Sequence, residues 1–189
     1  MKKMLLIVLI LFSIPAFAQE ETLIGQNFES GGFGGPVMKL TGMGGSAAIV
    51  TGARGGWIVN NQFVIGGGIY GSQTDASAND SLNFDIDYLG LELEYVHNPK
   101  DLFHWSAYTL IGWGDANFNH KNEAKDYDIN DENFFIIEPA INGEMNVTSF
   151  FRLGAGLSYR YVVGVDRLGL TDSDVRGLTF LLTFKFGKF

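Results

Sequence analysis

The chain has 189 residues, 25 glycines, no cysteine and a formal net charge of −8. The missing cysteine excludes a disulfide framework and thiolate metal sites, and the acidic balance argues against nucleic acid or an anionic surface as a generic partner. The length fits one domain, and beyond the N-terminal leader no run of about 18 apolar residues occurs, so no transmembrane helix is expected.

The leader comes first. Lys2 and Lys3 precede an apolar run from Met4 to Phe12, and Ala16-Phe17-Ala18 supplies an A-x-A cleavage site. This is the pattern of a secretory signal peptide over residues 1–18. Its apolar run is too short to span a bilayer, and no cysteine follows the site to direct lipidation. Removal takes two lysines with it and leaves 11 basic against 21 acidic residues, a net charge of −10. The polar, glycine-rich residues 19–35 read as a periplasmic lead-in, and 36–189 as the folded domain.

Alternating runs then follow one another. A strand sends successive side chains to opposite faces, so each run gives two faces of distinct chemistry. Strand 1 covers about Pro36–Thr41, with Met38 and Leu40 opposite Lys39. Strand 2 is Ala47–Val59, with Ile49, Ala53, Trp57 and Val59 opposite Arg54. Asn60-Asn61 forms a tight turn, because asparagine tolerates the positive φ of hairpin turns. Strand 3 is Gln62–Gly71, with Phe63, Ile65 and Ile69 opposite Gly66 and Gly68. Strand 4 is Leu82–Val96. Its apolar residues are Leu82, Phe84, Ile86 and Tyr88 on even positions, then Leu91, Leu93 and Tyr95 on odd ones. That flip predicts a β-bulge at Leu89-Gly90. Strand 5 is Leu102–Asp115. Strands 6 and 7 form a hairpin over 133–163 around Asn146–Ser149, and strand 8 is Arg176–Phe186.

The connections alternate in length. Asn60-Asn61, His97–Lys100 and Asn146–Ser149 are short; 72–81, 116–131 and 164–175 are long. Short periplasmic turns, longer extracellular loops and an even strand number define outer-membrane barrels. Trp57 with Phe63, Tyr95 with Phe103 and Met145 with Phe151 sit beside the short turns. Phe135, Tyr161, Tyr88, Trp113 and Phe180 sit toward the long loops. These are two candidate aromatic girdles. The fold expected is an all-β, eight-stranded antiparallel up-and-down transmembrane β-barrel.

Four stretches carry a family resemblance: GGFGGPVMKLT (Gly31–Thr41), GGWIVNNQFVIGGGIYG (Gly55–Gly71), EPAINGEMNVTSFFRLGAGLSYRYVVGV (Glu138–Val165) and FKFGKF (Phe184–Phe189). With them the chain resembles the small eight-stranded outer-membrane β-barrel proteins of Gram-negative bacteria, above all the glycine-rich barrels of Bacteroidetes-like organisms. The resemblance implies a monomer in the outer membrane, surrounded by lipid and lipopolysaccharide and inserted by the barrel-assembly machinery. Its motifs specify a scaffold and carry over no catalytic residue. A C-terminal aromatic is typical of such barrels as an assembly signal. Here Phe189 is out of phase with Phe180, Leu182, Phe184 and Phe186, which places it beyond a bend at Gly187.

The inward parity collects a lumen network: Lys39, Arg54, Arg152, Arg160 and Lys185 against Glu92, Glu94, Glu138 and Glu144, with His104. Cross-strand counting sets Glu144 opposite Arg152, Glu138 opposite Ser158 with Arg160 diagonal, Glu94 opposite His104, and Glu92 opposite Ser106. Arg54 falls opposite Gly66 and Gly68, which leave it room. An eight-stranded barrel is only wide enough for side chains to fill, and buried charges must pair. The reading is therefore a closed polar plug and a non-enzymatic structural or surface-interaction protein working through its extracellular loops. The alternative is a narrow pore or binding barrel for small solutes; a lipid-modifying enzyme ranks below both. His104, Ser106 and a glutamate have triad composition, but they point inward near a periplasmic turn, away from lipid esters. Asp126–Glu132 resembles the start of a calcium loop, but Asp131 stands where glycine is needed and Ile137 where a glutamate is needed. No cofactor or metal is expected.

Overall fold

The computed structural model describes residues 29–72, 76–77, 82–120, 132–167 and 170–189. The signal peptide and the front of the lead-in lie outside these residues, as does most of the calcium-like stretch. Eight long strands are present: β1 (Ser30–Met43), β2 (Ser46–Val59), β3 (Phe63–Ser72), β4 (Leu82–His97), β5 (Phe103–His120), β6 (Glu132–Asn146), β7 (Phe151–Val163) and β8 (Gly177–Lys188). Each is antiparallel to its neighbours in sequence, and β8 pairs with β1, so the sheet closes on itself. Closure leaves none of the eight long strands at an open edge of the sheet, which a wall in lipid requires.

The first strand begins at Ser30 rather than Pro36. Gly31–Gly35 therefore belongs to the wall and not to a lead-in. Glycine keeps both backbone hydrogen-bonding groups, and here Gly32 pairs with Trp57 and Lys188, and Gly34 with Gly55 and Phe186. The strand could not be seen in the sequence because its side chains are nearly absent. The turn at Asn60-Asn61 has φ values of 51° and 60°, as asparagine permits.

The expected bulge at Leu89-Gly90 does not exist. β4 runs in unbroken register against β3 from Tyr95 to Asp87 and against β5 from His97 to Leu82. What changes along β4 is the polarity of each face, not its phase. On even positions Phe84, Ile86 and Tyr88 point inward together with Glu92 and Glu94, and all are buried. On odd positions Leu89, Leu91 and Leu93 are exposed on the outer wall, continuous with Asp85 and Asp87 above them. Tyr88 is thus a lumen residue and not part of the outer girdle.

This change divides the barrel into two zones. In the lower zone the outer wall is apolar: Met38, Trp57, Ile65, Leu93, Phe103, Trp105 and Phe180 are all exposed. On β5 the apolar outer face runs from Phe103 to Trp113, the length of a tilted membrane strand of about 9–11 residues. Above Trp113 the outer face carries Asp115 and Asn117, and Asn117 hydrogen-bonds to Asp85 and Asp87 of β4. The interior of this upper zone is an apolar core of Met43, Ala48, Val50, Phe84, Ile86, Phe134, Ile136 and Val162 among others.

Between β7 and β8, segments 164–167 and 170–176 fold over this core. They form a two-residue hairpin, Asp166–Arg167 with Leu170–Thr171, and a one-turn helix, α1 (Asp172–Val175). Asp172 accepts hydrogen bonds from the backbone N–H groups of Gly164 and Val165, and Val165 and Val175 are buried in the apolar core. The backbone N–H of Gly44 donates to Asp174 O, tying the lid to the β1–β2 turn.

Candidate functional site

Lys39, Arg54, Glu92, Glu94, His104, Glu138, Glu144, Arg152, Arg160 and Lys185 all lie in the lumen, each less than 9% exposed. Pleat parity alone brings them there. Their partners differ from simple hairpin counting. The observed pairs are Val59 with Phe63, His97 with Trp105 and Asn146 with Arg152, so Trp57 faces Ile65, Tyr95 faces Ala107 and Met145 faces Leu153. The registers are displaced by two or four residues because the turns take up more residues than the polar runs suggest. An even displacement preserves every face and changes every partner.

The carboxylates are the nodes. Glu92 accepts hydrogen bonds from Arg54 Nε at 2.6 Å and from the Tyr70 hydroxyl at 2.6 Å. Glu94 accepts from Arg54 Nη2 at 3.1 Å and from Lys185 Nζ at 2.6 Å. Lys185 also donates to Glu144 at 2.5 Å. Glu92, Arg54, Glu94, Lys185 and Glu144 thus form one continuous chain across the lumen. A second cluster sits higher. Lys39 Nζ donates to Glu138 at 2.8 Å and to the Tyr88 hydroxyl at 2.9 Å, and lies 3.7 Å from the centroid of the Tyr70 ring. Glu138 also accepts from Ser158 and Tyr88. Such cation–π contacts gain strength when desolvated.

Several of the expected pairs are replaced. Glu144 does not meet Arg152; it stands opposite Gly154, and its partners are Lys185 and Ser106. Glu94 stands opposite Tyr108 and Glu92 opposite Leu110, not opposite His104 and Ser106. Arg160 turns upward, donating to Val175 O at 2.8 Å and to Thr41 Oγ1 at 3.3 Å, so it holds the lid. Arg152 turns downward, donating to Pro99 O at 3.1 Å and lying 4.0 Å over the Phe189 ring. Ser158 does meet Glu138, and Arg54 does stand opposite Gly68. A Cβ added at Gly68 would come within 2.7 Å of the Tyr70 hydroxyl and 2.8 Å of Glu92 Oε1, so this glycine clears the space that the network occupies.

Sequence reasoning missed Tyr70 and Tyr108. Tyr70 shares parity with Gly66 and Gly68, and Tyr108 with His104 and Ser106. That was the available signal. Arg54 lies 4.0 Å over the Tyr108 ring. The charges are also segregated around the wall. All four carboxylates stand on β4 and β6, while the five cations stand on β7, β8, β1 and β2.

His104, Ser106 and Glu144 do come together, but not as a catalytic relay. Ser106 Oγ donates to Glu144 Oε1, and His104 Nε2 lies 3.5 Å from Glu144 Oε2 without a hydrogen bond, so serine and histidine both face the carboxylate and neither activates the other. His104 Nδ1 donates to Asp101 O at 3.1 Å. Among the described residues no group of three or more His, Cys, Asp or Glu side chains is arranged to hold a metal ion. A depression of about 680 Å³ opens among outward-facing Met38, Ile69, Leu89 and Trp113, on the wall and away from the lumen glutamates.

A closed wall, apolar outside and ion-paired within, defines an eight-stranded outer-membrane-type barrel. No family model matches the chain, and no curated protein sequence matches it. Solved structures do. Neisserial surface protein A is 10% identical with a TM-score of 0.56, covering 86% of this chain and 99% of that one. The outer membrane protein OprG of Pseudomonas aeruginosa is 9% identical with a TM-score of 0.54, covering 84% and 95%. The N-terminal β-barrel domain of OprF of Pseudomonas aeruginosa is 11% identical with a TM-score of 0.51, covering 84% and 96%. These likenesses establish the fold. None of them supports the glycine-rich Bacteroidetes-like subtype.

Proposed function

We propose that this chain is a monomeric integral protein of the Gram-negative outer membrane, exported by a leader cleaved after Ala18 and inserted by the barrel-assembly machinery. It works without catalysis or cofactor. Its role is structural or surface-interacting, carried by the loops and strand ends that rise above the lipid and its lipopolysaccharide leaflet. The observation that carries this reading is the ion-paired lumen. Ion pairs occupy the middle, an apolar core occupies the top, and segments 164–167 and 170–176 pack Val165 and Val175 into that core. Ion pairs that bridge the lumen at mid-height support a plug, and a plugged barrel works through its outer surfaces.

Purified protein in a planar lipid bilayer tests this directly. The expected result is no discrete conductance in the wild type. Steady single-channel steps would overturn the plug and favour passage of small solutes. Altered lipid A or phospholipid on overexpression, lost in Ser106→Ala, would instead establish lipid chemistry. Heat-modifiable gel mobility in the outer-membrane fraction is expected for the inserted barrel.

A further inference from the structure

At the lower end of the lumen the turns enclose a cavity of about 360 Å³ lined by Asn61, Lys100, Thr148, Ser149, Arg152 and Phe189, among others. Arg152 is its charged anchor. It is only 6% exposed, yet no carboxylate among the described residues comes within ion-pair distance of it. The lumen carboxylates nearest Arg152, Glu94 and Glu144, are both engaged by Lys185, and Glu29 at the rim is engaged by Asn61. One protein bond, Nη2 to Pro99 O, uses the guanidinium, and the buried Nε has no acceptor. The plane is fixed by the Phe189 ring, 4.0 Å away.

A buried guanidinium with its donors unspent is costly unless an anion pairs with it. A planar fork held flat on a ring is preorganised for an oxyanion, because parallel N–H donors match a carboxylate or phosphate edge. Lys100 adds positive charge at the rim. Its link to Glu29 is an exposed 4.0 Å contact and holds it only weakly. Thr148 and Ser149 complete a polar wall, while the Asn61 amide is already given to Glu29. We infer that this cavity is an anion-binding site for a carboxylate or phosphate group, with Arg152 as its principal ligand-binding residue. The source is a small periplasmic anion or the headgroup of a neighbouring phospholipid. The site does not depend on the lumen being closed.

The test is an NMR titration of inorganic phosphate into the full barrel in zwitterionic nanodiscs, following the Arg side-chain Nε–H and the Thr148 and Ser149 amides. Saturable shifts at all three are expected, and they should vanish in Arg152→Gln. Absence of saturation, or equal shifts in Arg152→Gln, would overturn the site. Should Arg152→Gln fail to give the heat-modifiable folded form, Arg152→Lys keeps the charge and loses the fork. Weaker binding is then expected, and unchanged binding would refute the role given to the fork. Repeating the titration in phosphatidylglycerol nanodiscs separates the sources. Shifts present before phosphate is added identify the headgroup; an unchanged titration identifies the soluble anion.

Discussion

The two zones of the barrel use the same pleat in opposite senses. Below Leu89 and Trp113 the outer face is apolar and the inner face holds lysine, arginine and glutamate. Above them the outer face holds Asp85, Asp87, Asp115 and Asn117, and the inner face is Phe84, Ile86, Phe134 and Ile136. The strands pass from one zone to the other without a kink, in constant register. Face polarity is therefore set by what lies outside the wall. In lipid the apolar face turns out and the polar face must satisfy itself within. In water the arrangement is that of any soluble β-barrel, with the apolar face turned in.

The largest test of this contrast removes a node of the lower zone. Glu138→Ala leaves Lys39 buried without its carboxylate and should cost roughly 3–5 kcal/mol, read from urea unfolding in phospholipid vesicles. Pairing Glu138→Gln with Lys39→Met should recover much of that loss, since no unpaired charge is then buried and the amide oxygen still accepts from Ser158 and Tyr88. Next comes a charge in the lipid belt. Leu93→Arg, on the outer face near mid-belt, should cost about 2–4 kcal/mol in the same assay. Crowding the lumen is milder: Gly68→Ala pushes a methyl against Tyr70 and Glu92 and should cost about 1–3 kcal/mol. Smallest is Asp87→Arg, on the same outward face of β4 but above the belt, where a change within about 0.5 kcal/mol is expected. If Asp87→Arg proved as damaging as Leu93→Arg, the boundary between the zones would be misplaced.

Parity made much of this legible in the sequence. Strand number, the alternation of short and long connections, and the inward position of every charged lumen residue followed from period-two patterning. Partners did not, because register depends on turn geometry. A turn such as Val147–Phe150 does not announce which residues it includes. The flip on strand 4 was misread for a deeper reason. Alternation shows that two faces differ but not which one meets lipid. Phe84, Ile86 and Tyr88 share parity with Glu92 and Glu94, and only knowing where the membrane ends tells an inward apolar residue from an outward one. The start of β1 was hidden because glycine leaves no pattern to read. Arg152 was placed correctly on the inner face, but its site needed Pro99, Phe189 and a turn from another hairpin, which no single strand could reveal.

The placement of carboxylates on β4 and β6 and of cations on the strands flanking the β8–β1 junction also bears on the order of assembly. A sheet not yet closed carries positive charge along both margins and negative charge along its middle. Flat, those margins have no partners; curled, each reaches the acidic centre across the forming lumen. Lys39 finds Glu138 across 99 residues of sequence, and Lys185 finds Glu94 across 91. Attraction from margin to centre thus favours curvature in the direction that brings the first strand to the last.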